Sequence, residues 1–281
     1  MLVSLEAVIP SAYTEHYAVG AFNVTNIETA QAVLKAAEEL KAPVIMQTTE
    51  KALDYAGFDI LAGVVLNMAK GASVPVVVHL DHGRSTSVAK RCLEIGYTSV
   101  MLDFSHQSFA ENLKNTKSIV ALAKQHGASV EAELGAIAGR EDYIENHLPQ
   151  KTDPKEAAQF VKETGISVLA VGIGNAHGPT TASEKLDFDL LAQIQHQTQF
   201  PLVLHGASGN SKEDIAKAIS LGVVKINIDT DLRLAFAGAL RGYLRANADV
   251  YDIRDILGHA REAMTEVVKQ KIIMFGSIGK A

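Results

Sequence analysis

Three histidines, His82, His177 and His205, each stand directly before a glycine and just beyond a short apolar run. Imidazole nitrogens suit Zn²⁺, a borderline-soft ion that at catalytic sites keeps one coordination position open. The neighbouring glycines let backbone approach a bound ion or ligand closely and permit a positive φ at a strand-to-loop turn. One histidine in such a place is most often simply hydrogen-bonded at a loop start. Three at equivalent places point instead to one shared ligand. The single cysteine, Cys92, rules out a multi-cysteine zinc site and an intramolecular disulfide, so a metal here has to be held by histidine and carboxylate.

Carboxylates accompany the histidines. Asp81 precedes His82, and Glu131 and Glu133 share one parity, so on a strand both face the same side. Two carboxylates inside a core are costly unless a cation is near. That cation is either a metal or an interior lysine such as Lys225, which also raises the alternative of Schiff-base chemistry. A Schiff base would leave the three histidines unexplained. His79 lies an odd number of residues before His82, so strand parity sends it to the opposite side, as a supporting or core histidine. His106 is a weaker candidate, and the histidines at 16, 126, 147, 196 and 259 are expected in ordinary surface roles.

The elements that must position these residues are legible as apolar, β-branched runs alternating with helical periodicity. The runs are Val19 to Phe22, Val44 to Gln47, Pro75 to His79, Ser99 to Leu102, Ser129 to Glu133, Val168 to Val171, Leu202 to Leu204 and Val223 to Ile226. Between them lie helices such as Ile27 to Leu40, and Ser85 to Ile95, which makes Cys92 inert packing. A doubly wound open sheet would show the same alternation; the count of eight favours a (β/α)8 TIM barrel. Asp231 to Leu244 and Asp255 to Met274 read as two closing helices, one more than the barrel's outer ring needs. Polar residues collect where the runs end, the face on which barrels place their chemistry. The polar segment from Ala136 to Thr152 is long for a loop and is expected to act as a lid.

The 281 residues, 47% hydrophobic and 21% charged, fit one folded domain spanning 1–281. A formal net charge of -6 and the lack of a basic stripe argue against nucleic acid as partner. No apolar stretch reaches the roughly 20 residues that span a bilayer, and the first residues do not form a signal peptide, so a cytoplasmic protein with no membrane partner is expected. The glycine-rich ends of the last three runs offer N–H groups to phosphate.

Taken together, HLDHG at His79 to Gly83, VEAELG at Val130 to Gly135, AHG at Ala176 to Gly178, LHGASG at Leu204 to Gly209 and KINIDTDLR at Lys225 to Arg233 resemble the class II fructose-bisphosphate aldolase family, which also contains tagatose-bisphosphate aldolases. The resemblance runs from Gly20 to Ser277. It implies zinc ligation by His82, His177 and His205, with Glu133 as an alternate ligand or support. It implies that Asp81 exchanges a proton with the C4 hydroxyl, and that Glu141 does so at C1 of dihydroxyacetone phosphate. It implies a phosphate site at Gly178, Gly206, Ser208, Asp229 and Thr230, with Asn227 on the triose. Asn23 and Thr49 are counted with the substrate-binding residues, and Arg254 with the other phosphate, reached across a subunit interface of a homodimer or homotetramer. A monovalent cation, Na⁺ or K⁺, is implied beside the phosphate. The expected reaction is reversible cleavage of fructose 1,6-bisphosphate to triose phosphates, with zinc stabilising the enediolate as a Lewis acid. The alternatives are a tagatose-1,6-bisphosphate aldolase and, from other classes, a zinc hydrolase or a non-catalytic phosphate-binding barrel. Two positions depart from the family pattern: Ala207 stands where many fructose-type members carry a second glycine, and Ala136 to Gly139 is less rich in Gly and Thr.

Overall fold

The computed structural model describes residues 1–141, 144–146, 150–178 and 185–281, with the side chains of 138, 140, 141 and 144–146 left out of the description. Eight strands form a closed barrel: β1 (Val19–Asn23), β2 (Val44–Thr48), β3 (Val76–Gly83), β4 (Ser99–Leu102), β5 (Ser129–Leu134), β6 (Val168–Val171), β7 (Leu202–Leu204) and β8 (Val223–Ile228). Each strand pairs in parallel with its neighbours in sequence, and β8 returns to β1 in the register Val19↔Lys225 to Phe22↔Ile228. The eight apolar runs are these strands, and the closed ring excludes the open doubly wound sheet.

The runs are continuously apolar because both faces are buried. In β3, Val76, Val78 and Leu80 join the layer between strands and helices, while Val77 joins Val19, Ala21, Ile45, Val168, Ala170, Val203 and Val224 inside the barrel. The first residues, which sequence reasoning left unassigned, close the barrel's far end. Leu5, Val8, Ile9 and Ala12 pack onto that inner cluster, and the Leu5 amide donates to Ser129 Oγ at 3.0 Å. The end opposite this plug is the one left for polar residues.

Helix starts follow their capping residues. Asn26 and Thr29 form a capping box for Ile27–Glu39, Ser85 accepts from the Val88 amide, and Ser108 with Glu111 caps Phe109–Gln125. Cys92 is wholly buried, and burial pushes its thiol up to about 12, so it packs as a small hydrophobe. The last two helices are Thr230–Ala246 and Ile253–Phe275, with Tyr243 stacked on His259 at 4.7 Å between ring centres. Met264, Val268 and Ile272 bury the second of them against the barrel's outer layer. Among the described residues no single helix is long and apolar enough to cross a membrane.

The long segment after β5 differs from the expected plain loop. Ala138–Glu141 and Ile144–Asn146 pair antiparallel, and the first of them pairs in parallel with Ala176–His177. Its backbone is thus hydrogen-bonded to the segment that carries a candidate metal ligand.

Candidate metal centre and active site

The end of β3 sets the site's geometry. Its pairing with β4 shifts register between Leu80 and Gly83, and His82 adopts a left-handed φ of 45°. For a residue with a Cβ that conformation is uncommon and costs about 1–2 kcal/mol, so the surrounding structure must impose it. The turn breaks strand parity: His79, Asp81 and His82 all serve the inside of the barrel. The expected opposition of His79 and His82 therefore fails, because alternation holds only while regular pairing lasts. His79 keeps its expected supporting place. Its Nδ1 lies 2.8 Å from Ser99 Oγ, its Nε2 lies 3.6 Å from Glu131 Oε2, and burial followed by the nearby Lys225 charge holds the ring well below the usual histidine range.

His82, His177 and His205 come together from three strand ends, with one nitrogen of each within 4.8 Å of the others. His82 Nε2 lies 2.8 Å from His205 Nδ1, and the three rings stand edge to face at 4.7 to 5.7 Å between centres. The opposite ring nitrogens meet carboxylates: His205 Nε2 lies 2.7 Å from Glu131 Oε1 and His82 Nδ1 lies 3.4 Å from Asp103 Oδ2. A carboxylate on the far nitrogen is how metal-binding imidazoles are usually oriented. Although burial opposes it, the hydrogen bond and charge of His82 hold the Asp103 carboxyl well below the usual range. Glu133 lies within the same 4.8 Å limit of His82 and Asp103, and its buried Oε2 has no hydrogen-bond partner. Burial first, then Asp103, pushes the Glu133 carboxyl well above its ordinary value. Three imidazoles, two orienting carboxylates and one orphaned carboxylate oxygen fit a bound cation of zinc's preferences.

Glycine makes the close packing possible. A Cβ on Gly206, whose φ is +63°, would lie 2.0 Å from the Ala176 carbonyl oxygen, and one on Gly139 would lie 2.2 Å from the His177 oxygen. Asn175 ties the same two segments together, accepting from the Ile173 amide at 2.9 Å and donating to the His205 carbonyl at 3.0 Å. Gly206→Ala should therefore pry the His177 segment from the His205 segment. We expect a loss of about 3 kcal/mol or more in stability, from the left-handed backbone and the clash together, together with weakened zinc binding. Thermal melting with and without zinc checks this; a variant within 2 °C of the parent would contradict it.

Asp81 is fully buried beside His82 and accepts three amide N–H donors: Asn23 Nδ2 at 3.2 Å, Gln47 Nε2 at 3.0 Å and Asn227 Nδ2 at 3.2 Å. Gln47 also donates to Asn23 Oδ1 at 2.7 Å. Asn23 and Asn227 are thus brought together with Asp81. The two interior glutamates divide: Glu133 lies beside His82 and Asp103, whereas Glu131 stands between His205 and Lys225, its Oε2 2.7 Å from Lys225 Nζ. Lys225 is wholly buried in that ion pair, which argues against the Schiff-base alternative.

Among the expected phosphate residues, Ser208 follows β7 and Thr230 opens the helix Thr230–Ala246. Ser208 Oγ accepts from the Asp231 amide at 3.4 Å, which ties the loop after β7 to the N-terminus of Thr230–Ala246, and Gly178 and Gly206 both take positive φ. A helix N-terminus beside a glycine-rich loop is suited to an anion. Asp229 is ion-paired with Arg233 at 2.7 Å. Thr49 caps Glu50–Ala56, its Oγ1 accepting from the Ala52 amide at 3.2 Å. Arg254 is not brought to the cluster; its side chain is 87% exposed and paired with Asp252. His106 is exposed and takes no part in the cluster. Glu141 ends the strand Ala138–Glu141, and its side chain lies outside the described residues, as does His147.

Sequence reasoning missed Asp103 and Gln47. The available signal was position, since each stands at the polar end of its strand.

The family model for fructose-bisphosphate aldolase class-II matches residues 3–280. The chain is 44% identical to a fructose-bisphosphate aldolase of Geobacillus stearothermophilus, over 100% of this chain and 99% of that one. It is also 44% identical to a fructose-bisphosphate aldolase of Thermus caldophilus, with 100% of both chains covered. The crystal structure of the YdjI aldolase from Escherichia coli K12 matches with a TM-score of 0.88 and 38% identity, again over 100% of both chains. By family model, by full-length relatives and by fold, the chain belongs to the class II fructose-bisphosphate aldolases.

Proposed function

We propose that this chain is a zinc-dependent aldehyde-lyase that reversibly cleaves fructose 1,6-bisphosphate to dihydroxyacetone phosphate and glyceraldehyde 3-phosphate. One observation carries the reading: three imidazoles from three strand ends converge, two with carboxylates on their far nitrogens, beside an aspartate clamped by three amides.

In this reading His82, His177 and His205 hold zinc, and Glu133 supports them. Bound there, zinc supplies Lewis acidity toward the ketose C2 oxygen. Asp81 takes the proton of the C4 hydroxyl as the C3–C4 bond breaks; the bond's electron pair stays with C3, and C4 leaves as the aldehyde. Glu141 delivers the proton to that carbon, the C1 of dihydroxyacetone phosphate, and the segment bearing it excludes water. Gly178, Gly206, Ser208, Asp229 and Thr230 bind one phosphate with a monovalent cation, Na⁺ or K⁺, and Asn227 holds the triose. Asn23 and Thr49 meet the other half of the substrate, and Arg254 reaches the second phosphate of a neighbouring copy. Exposed Tyr251 and Ile253 beside Arg254 give a second copy apolar surface to cover, in a homodimer or homotetramer. The whole chain acts as one domain, in the cytoplasm, with sugar bisphosphates and triose phosphates as its partners and neither nucleic acid nor membrane.

The test is cleavage of fructose 1,6-bisphosphate beside tagatose 1,6-bisphosphate, which differs only at C4, each coupled to triose phosphate detection. A higher kcat/KM for the fructose epimer supports the proposal. A strong tagatose preference overturns the substrate, and phosphate release without triose formation overturns the lyase reading in favour of a hydrolase.

A further inference from the structure

Lys225 is a cation buried in the barrel that the proposed chemistry does not use. The register of β8 against β7 shifts between the pairs Leu202↔Val223 and Val203↔Lys225, so that Val224 and Lys225 both serve the barrel interior. No part of the Lys225 side chain is exposed; its Nζ lies 2.7 Å from Glu131 Oε2 and donates to Asn227 Oδ1 at 2.7 Å. We propose that Lys225 is a positioning residue that sets both halves of the site from beneath: the nitrogen His205 offers to the metal and the amide that orients Asp81. The inference rests on the zinc reading above.

An ammonium has three donors and no acceptor, so whatever it touches must accept. Asn227 therefore turns its carbonyl oxygen toward Lys225, which leaves its NH₂ facing Asp81 Oδ1 at 3.2 Å. Turned the other way, Asn227 would set an oxygen against that carboxylate. On the other arm, the ammonium lies 2.7 Å from Oε2 and sets how the Glu131 carboxylate is turned, so that its other oxygen, Oε1, lies 2.7 Å from His205 and takes the proton on Nε2. The lone pair of His205 then lies on Nδ1, the nitrogen 2.8 Å from His82 Nε2. His79 is no substitute, because its Nδ1 is engaged with Ser99 and its Nε2 lies 3.6 Å from Glu131.

Lys225→Met removes the donors with similar bulk. We expect kcat to fall about 100-fold with KM changed less than about threefold, the signature of a misplaced reacting group. Zinc affinity, measured by competition with a chelator and no substrate, should fall about 10- to 100-fold. The double variant Lys225→Met/Glu131→Gln removes the buried charge that the single change strands, and the new amide oxygen can still accept from His205 Nε2. It should regain zinc affinity to within about threefold while kcat stays about 100-fold low, since Asn227 still lacks its donor. Should the single variant fail to fold, the double variant decides. Wild-type kcat and zinc affinity in Lys225→Met would overturn the proposal, and so would a double variant that regains kcat, which reduces Lys225 to a charge balance. If the parent chain turns over no sugar bisphosphate, the functional reading fails separately, and zinc competition still judges Lys225.

Discussion

Asp81→Ala should lower kcat for sugar-bisphosphate cleavage by at least about 10³-fold while zinc content stays at the parent level. General acid–base groups contribute about 10²- to 10⁴-fold, and Asp81 is a buried carboxylate next to the histidine cluster that is neither a candidate ligand nor, like Glu131, ion-paired with Lys225. Its oxygens are committed to amide donors from β1, β2 and β8, so its direction is set before substrate arrives. Removing it strands three buried donors, at about 1–3 kcal/mol each when left unsatisfied, so Asp81→Asn is the necessary companion. The asparagine keeps the volume and one acceptor but cannot take the proton. Both variants should fold, hold zinc and fail to turn over. Residual cleavage within tenfold of the parent in either one would remove Asp81 from the role of base.

His177→Ala should abolish both zinc and turnover. His177 stands on the two-residue strand Ala176–His177, paired with the segment after β5 and packed against Gly206. Losing one of three protein ligands leaves two imidazoles, too few for a catalytic zinc site. Zinc measured after dialysis against metal-free buffer should fall below about a tenth of one equivalent, with kcat down by about 10⁴-fold, because the term lost is the Lewis acid itself. His106→Ala is the matched control, since among the described residues that exposed histidine lies outside the candidate ligand groups and its loss should change neither quantity. Full zinc occupancy in His177→Ala would contradict ligation.

Most of the barrel was legible because its strands are buried on both faces and therefore read as uninterrupted β-branched runs, such as Val76 to Val78. A helix start was legible where the capping side chain is local, as at Ser85. What periodicity cannot carry is a break in periodicity. The left-handed turn at His82 and the register shift before Lys225 each put a residue on the side that alternation denies it. The three histidines could be read because each is a rare residue type at a glycine-flanked strand end. Asp103 and Gln47 could not, since aspartate and glutamine at such places are common and their partners, His82 and Asp81, are distant in sequence. The N-terminal plug escaped for a related reason: Leu5 and Ile9 carry too short a pattern to announce what they cover.

The decisive measurement is fructose 1,6-bisphosphate cleavage followed through one preparation before chelation, after removal of metal, and after titration with zinc. Activity should disappear with the metal and return in proportion to zinc, saturating near one equivalent per chain. Cleavage that persists undiminished in metal-free protein would contradict the zinc reading, and borohydride trapping of substrate on Lys225 would then identify the lysine mechanism that the buried ion pair argues against.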